Sequence, residues 1–244
     1  MIKQMVIAGS GYGTRMSNTI NKRHTKSLIY VFGRYLLDIQ LDWAIRSGIK
    51  TFCMSVKPED QELVNSICIK HDASFIFRTG EKTFQEVPSL FTDVLDDRFI
   101  FVGGHTPILP SHLKKMIEAS NNYYYVVSAY DNTENVIPKK KRILVDRDFT
   151  PERYSLIYDN DILLDNHFYL KNPYIIDRRV VEAVKDNSFI KTPLFYVFKE
   201  WEKGSSVISV NNEFPVEFNT DNEFFRTKEF LRKYLEVSFE KQKK

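Results

Sequence analysis

Gly9-Ser10-Gly11-Tyr12-Gly13-Thr14-Arg15-Met16, set directly behind the apolar run Met5-Val6-Ile7-Ala8, constrains this chain more than any other stretch. Three glycines in five positions let the backbone turn sharply and approach a ligand closely, because glycine has no β-carbon in the way. A loop of this kind can aim successive N–H groups at phosphate oxygens. Arg15 adds a forked cation at the end of the loop, and Lys26, eleven residues on, offers a second positive group. Glycine spacing alone fits an ordinary tight turn equally well. Two familiar phosphate loops do not fit. The P-loop ends Gly-Lys-Ser/Thr, whereas this loop ends Gly-Thr-Arg. The third glycine of the dinucleotide-binding pattern falls here on Thr14 or Met16.

The rest of the chain alternates strand and helix signals. A helix is expected over Tyr35 to Ser47, with Leu37, Leu41, Ala44 and Ile45 on one face and Gly48 at its C-terminal cap. Strands are expected at Thr51–Val56, Ser74–Phe77, Arg98–Val102, Tyr123–Tyr130 and Ile143–Val145. Pro58-Glu59-Asp60 opens a second helix, with proline and acids in the first turn. Leu113, Met116 and Ile117 mark a third. Further helices are expected at Asp177–Lys185 and Thr192–Glu202. Phe214, Val216 and Phe218 alternate as in a strand. The capping box Thr220-Asp221-Asn222-Glu223 then starts a last helix with Phe224, Leu231 and Leu235 on one stripe. Strands separated by helices imply βαβ units and a largely parallel sheet. Ligands bind such sheets beyond the C-terminal strand ends, where the glycine loop and Gly103-Gly104-His105 both fall.

Composition excludes several classes. The 244 residues suit one large domain with a less regular insertion over about 131–212, and 43% hydrophobic content with 19 Phe and 13 Tyr can fill its core. A net charge of +3 is too mild for nucleic acid as partner. No apolar run approaches the roughly 18 residues of a membrane helix. No charged-then-apolar leader opens the chain, so a cytoplasmic protein is expected. Cys53 and Cys68 have neither metal-ligand nor redox spacing and read as buried free thiols. Lys139-Lys140-Lys141-Arg142 reads as a solvated loop, with a phosphate-facing patch as the alternative. Asp146-Arg147-Asp148 and Asp159-Asn160-Asp161 read as turns, although paired carboxylates can also grip a divalent cation.

Three ordered segments carry a resemblance. Gly11-Tyr12-Gly13-Thr14-Arg15-Met16, then Lys26-Ser27-Leu28, then Gly33-Arg34-Tyr35-Leu36-Leu37-Asp38 closely resemble the opening of the sugar-phosphate and MobA-like nucleotidyltransferases. Thr25 stands where that family usually has proline. Phe99 to Ile108 looks like the family's strand ending in Gly-Asp-Thr-Pro-Leu, and Val216 to Phe224 like its Asn-Ile-Asn-Thr-Pro-Glu-Asp-Leu. Asp165 to Leu170 weakly resembles the Asn-Ala-Gly-Ile-Tyr segment of the sugar pocket. The resemblance implies an α/β fold: a three-layer α/β/α, Rossmann-like architecture of the nucleotide-diphosphosugar transferase type, with a mixed, mostly parallel sheet.

The same resemblance implies transfer of a nucleoside monophosphate from a triphosphate to a phosphorylated sugar, polyol or related metabolite, with release of pyrophosphate. Arg15 and Lys26 would be catalytic. Ala8, Gly9, Ser10, Gly11, Tyr12, Gly13, Thr14, Gly80 and Gly104 would contact the nucleotide. A divalent cation, Mg2+ or Mn2+, would be held by Asn219 and by the residue at 105. That residue is His105 where the family has aspartate, and imidazole is a poor partner for hard magnesium. A softer ion, another carboxylate such as Glu217, or lost catalysis with retained nucleotide binding would each follow from it. A nucleotide-sugar-dependent glycosyltransferase is a further alternative, against which Gly-Thr-Arg argues. The aromatic surplus leaves room for a homo-oligomer contact.

Overall fold

The structure, a computed structural model, describes residues 1–11, 25–80, 82, 84–131, 143–146, 157–158, 167–186 and 206–211, with 224, 225, 228, 229, 231, 232 and 235 in the last segment. The first half alternates as the pattern requires: β1 (Gln4–Ala8), the hairpin β2 (Tyr30–Val31) and β3 (Arg34–Tyr35), α1 (Leu36–Arg46), β4 (Thr51–Ser55), α2 (Gln61–Cys68), β5 (Ser74–Arg78), β6 (Arg98–Gly103) and α3 (Pro110–Ala119). The second half adds β7 (Tyr125–Asp131), β8 (Ile143–Asp146), β9 (Ile157–Tyr158), β10 (His167–Asp177), α4 (Arg178–Asp186) and β11 (Ser206–Asn211). Single 3₁₀ segments lie at Lys26–Leu28, Pro58–Asp60 and Phe84–Phe91.

Among the described residues one sheet of nine strands runs β11-β7-β10-β6-β1-β4-β5, with β8 and β9 attached to β10. Along this path only β10 is antiparallel to its neighbours, so the sheet is mixed and mostly parallel. Residue alternation explains the layers. Met5, Ile7, Phe52, Met54, Ile100 and Val102 face one side, where they pack with Leu37 and Leu41 of α1, Val64 and Ile67 of α2, and Leu113 and Met116 of α3. Val6, Cys53, Phe99, Phe101, Tyr125 and Val127 face the other, against Val87 and Phe91 of the 3₁₀ segment and Val180 and Val181 of α4. Strands covered on both faces must be apolar at every position, which is why β1, β4 and β6 read as continuous hydrophobic runs. The outer side of α1 buries Ile39 and Trp43 with Phe224, Leu231 and Leu235, the stripe read from the capping box. Both cysteines are free and buried, and burial pushes the Cys53 thiol up to about 11 and Cys68 up to about 12. No helix among the described residues is long and apolar enough to cross a membrane.

Several elements depart from the sequence pattern. Pro58 opens a 3₁₀ turn before α2 rather than α2 itself. The stretch read as an insertion contributes β10 and β11 to the central sheet. Asn172-Pro173 hides β10 in the sequence, since proline within a run argues against a central strand. The strand tolerates it because the register with β7 shifts between Lys171 and Tyr174. The helix expected at 192–202, the strand at 214–218, the pair Asp159-Asn160-Asp161 and the basic cluster 139–142 lie outside the described residues, and of Asp146-Arg147-Asp148 only Asp146, at the end of β8, lies within them.

Polar contacts tie the helices down. Gly48 takes φ +96° just past α1, the left-handed position its sequence predicts. The β2–β3 turn has positive φ at both Phe32 and Gly33, as in a type I′ hairpin. Arg34 then reaches Asp38 at 2.6 Å, and His71 Nε2 meets the other carboxylate oxygen at 2.8 Å. Burial pushes the Asp38 carboxyl up, but Arg34 and His71 more than offset it and hold it below its usual range. Asp177 caps α4 by accepting from the Val180 N–H at 3.2 Å.

His112 on α3 is fully buried and meets Ser128 Oγ of β7 at 2.7 Å. Burial, assisted by Lys115, lowers its pKa from 6.5 to about 4. In the unfolded chain His112 protonates near its ordinary value, while in the fold it stays neutral down to about pH 4. Stability is therefore complete above pH 6.5 and falls by roughly 3 kcal/mol toward pH 4 through this group alone. Urea unfolding of wild type and His112→Leu across that window should show the wild-type slope flattened in the variant.

Candidate active site

The site forms where β1 and β6, hydrogen-bonded in register at Ala8 and Gly103, release their loops at the same end of the sheet. The Gly104 N–H donates to the Ala8 carbonyl at 2.8 Å. A β-carbon on Gly104 would stand 2.9 Å from Gly9 Cα and 3.0 Å from that carbonyl, so no larger residue fits without moving backbone. Gly9 is held as tightly on its other side: its own β-carbon would meet the Ser55 carbonyl at 2.7 Å. The Gly9 N–H donates to Ser55 Oγ at 3.1 Å, and Ser10 Oγ lies 3.2 Å from the same hydroxyl. Three strand ends thus meet backbone to backbone, which glycine alone permits.

The Gly103 peptide is gripped from two directions. Gln40 of α1 donates to its carbonyl at 3.1 Å, and Asn172 of β10 accepts from its N–H at 3.3 Å. His105 follows in the turn and is half-buried. Its ring folds back over Gly103, with Cε1 and Nδ1 3.4 and 3.5 Å from where a β-carbon of that glycine would be.

Lys26 opens the 3₁₀ turn Lys26–Leu28 and is only 7% exposed. Without the glycine loop it would read as a solvated surface lysine; burial removes that reading. Ser27 docks the turn onto the site, its Oγ donating to the Gly9 carbonyl at 3.4 Å. Thr25 Oγ1 meets Ser27 Oγ at 2.8 Å, and the Thr25 N–H donates to the buried Asp60 at 3.2 Å.

Beside the glycine loop lies a cleft of about 880 Å³. Ser10, Gly11, Lys57, Gly80, Lys82 and Glu86 are among the residues that line it. That volume is ample for a small-molecule ligand. Gly80 reaches the cleft as its place after β5 implies, and a β-carbon there would press on Leu90 at 3.2 Å. Lys57 is 4% exposed, and its burial lowers its pKa against the pull of Asp60 and Glu59. Lys57, Asp60 and Ser55 went unread in the sequence. The signal was available: all three end or follow a buried strand on the ligand side of the sheet.

Tyr12, Gly13, Thr14, Arg15 and Asn219 lie outside the described residues. Of the expected site residues, Ala8, Gly9, Ser10, Gly11, Lys26, Gly80, Gly104 and His105 all fall at this end of the sheet. Among the described residues no three His, Cys, Asp or Glu side chains gather as a metal site.

Neither a protein-family model nor a curated protein matches the sequence. Solved structures match it over nearly its whole length. A UDP-glucose pyrophosphorylase in complex with UDP-glucose superposes with a TM-score of 0.75 at 14% identity, covering 96% of this chain and 100% of the other. The inositol-1-phosphate CTP transferase from T. maritima gives a TM-score of 0.69 at 13% identity over 93% and 95% of the two chains. A 4-diphosphocytidyl-2C-methyl-D-erythritol synthase from Anaerococcus prevotii gives 0.64 at 16% identity over 95% and 98%. The chain therefore shares its fold with these solved structures along nearly its whole length.

Proposed function

We propose that this protein is a nucleotidyltransferase that transfers a nucleoside monophosphate from a nucleoside triphosphate to a small phosphorylated acceptor, a sugar, polyol or related metabolite, with release of pyrophosphate. The observation that carries the reading is the burial of Lys26 on the 3₁₀ turn whose Ser27 hydroxyl docks onto the Gly9 carbonyl. A lysine costs free energy to bury, and a bound phosphate is a ligand whose charge would help offset that cost. The solved structures of this fold support the choice of reaction, since they are described with UDP-glucose, UTP and CTP.

In the proposed reaction an oxygen of the acceptor phosphate attacks the α-phosphorus of the triphosphate. The bond from that phosphorus to the bridging oxygen breaks, and pyrophosphate leaves with the electron pair. Catalysis is then mostly positioning and charge neutralisation. Arg15 and the amides from Gly11 to Thr14 are assigned to the leaving phosphates. Lys26 is assigned to the α-phosphate or the acceptor phosphate as a point charge. Ala8, Gly9 and Ser10 pass along the base and ribose, with Gly80 and Gly104 bounding the nucleotide. Triphosphate substrates and two free, buried thiols suit a cytoplasmic setting.

His105 favours one second reading: a homologue that binds nucleotide without turning it over. Of the two cations expected with Asn219 and His105, imidazole suits manganese better than magnesium. No step here is assigned to either ion.

The deciding assay is pyrophosphate release from each of four ribonucleoside triphosphates with a panel of sugar and polyol phosphates, in magnesium, manganese and chelator. Turnover with one pair establishes the transferase. Nucleotide binding with no turnover on any acceptor favours the second reading, and no binding at all removes both. Lys26→Ala should cost roughly 100-fold or more in turnover with the fold intact. Gly104→Ala should lower stability by about 1–3 kcal/mol and weaken nucleotide binding, because its β-carbon drives the β6 loop off Gly9. Thermal denaturation and calorimetric titration read these two effects separately.

A further inference from the structure

We propose that Asp60 is a positioning residue for Lys26, acting through the backbone N–H of Thr25, and that this hydrogen bond does the work a proline ring would do at position 25. The inference deepens the reading above, on which it rests for the role of Lys26.

Asp60 is 1% exposed and lies 35 residues from Thr25 in sequence. Its Oδ2 accepts from the Thr25 N–H at 3.2 Å. A carboxylate taken this far from water must be held by donors and nearby positive charge. Lys57, just ahead of it on the same turn, supplies one such charge. The backbone N–H supplies direction, since it fixes where Thr25 sits relative to the end of β4.

Thr25 itself adopts φ −75° and ψ 159°. That φ lies within the range a proline ring imposes. A proline would hold this backbone without any partner, but it carries no N–H and would leave the buried oxygen of Asp60 without that donor. Threonine keeps the N–H and depends on the partner. Thr25 and Asp60 are thus one device in two parts.

Lys26 stands between two anchors. Ahead of it Thr25 is fixed to Asp60, and behind it Ser27 is fixed to the Gly9 carbonyl. The Leu28 N–H closes the turn onto the Thr25 carbonyl at 3.0 Å. Loss of the first anchor frees the turn to pivot on the second. A lysine displaced by an ångström no longer meets the phosphate it neutralises.

The test compares Asp60→Ala, Asp60→Asn, Thr25→Pro and the Thr25→Pro/Asp60→Ala double variant in the full chain. Two readouts are taken: kcat and KM for pyrophosphate release, and deuterium exchange of the Lys26–Leu28 amides without nucleotide. Asp60→Ala and Thr25→Pro should each lose roughly 10- to 100-fold in kcat with a smaller change in KM. Exchange at Lys26–Leu28 should quicken in Asp60→Ala and return toward wild type in the double variant. The double variant should recover to within about 3-fold of wild type, because the ring replaces the lost bond. Asp60→Asn keeps an acceptor and should stay near wild type. A double variant no better than Asp60→Ala overturns the proposal, as does an Asp60→Asn variant as impaired as Asp60→Ala, which would assign the effect to charge on Lys57. Should wild type neither bind triphosphate nor release pyrophosphate, the nucleotidyltransferase reading fails. The exchange pattern across the four variants then still decides whether Asp60 holds the Lys26 turn.

Discussion

The contact between Gly104 and Gly9 is the constraint on which the rest of the site depends. Two loops leave neighbouring parallel strands and touch through backbone atoms, with the Gly104 N–H on the Ala8 carbonyl. Nothing flexible stands between them. The separation of the loops is set by main-chain geometry, so the groups hung on them inherit that precision. Ser27 and Ser55 extend the same arrangement, each with a hydroxyl on the Gly9 backbone. Gln40 and Asn172 then fix the Gly103 peptide from a helix and from the antiparallel strand.

That arrangement needs a rigid base, and the two-faced sheet supplies it. Successive residues of β1, β4 and β6 point into opposite cores, and both cores are closed by helices. A strand so placed cannot slip by one residue without exchanging its two faces. The strand ends therefore emerge at fixed heights, and the crevice beyond them keeps its shape. Val31 of the hairpin, Ile39 and Trp43 of α1, and Phe224, Leu231 and Leu235 form a third apolar cluster, which backs the face of α1 turned away from the sheet.

Electrostatically the site combines buried lysines with neighbouring carboxylates. Lys26 and Lys57 are both nearly fully buried, and Glu59 and Asp60 offset part of the cost for Lys57. His105 replaces an expected carboxylate and lies against Gly103 rather than standing clear of it. Lys57 and Lys82 line the cleft together with Glu59 and Glu86, so both signs of charge meet there.

Much of this was legible in the chain itself. The apolar runs of β1, β4 and β6, the stripe on α1 with Gly48 behind it, and the glycine loop with Gly103-Gly104 all follow from local periodicity and from glycine's missing side chain. So does the buried stripe Phe224, Leu231 and Leu235. What tertiary structure alone decided is which distant residues meet. β10 enters the sheet despite Asn172-Pro173, because a register shift against β7 absorbs the proline. Asp60 reaches Thr25, and Lys57 turns inward beside Ser10, through the order in which strands stack. Periodicity reports which face a residue presents. It carries no information about which neighbour lies across that face, because adjacency is set by sheet order and hydrogen bonding between segments far apart in sequence.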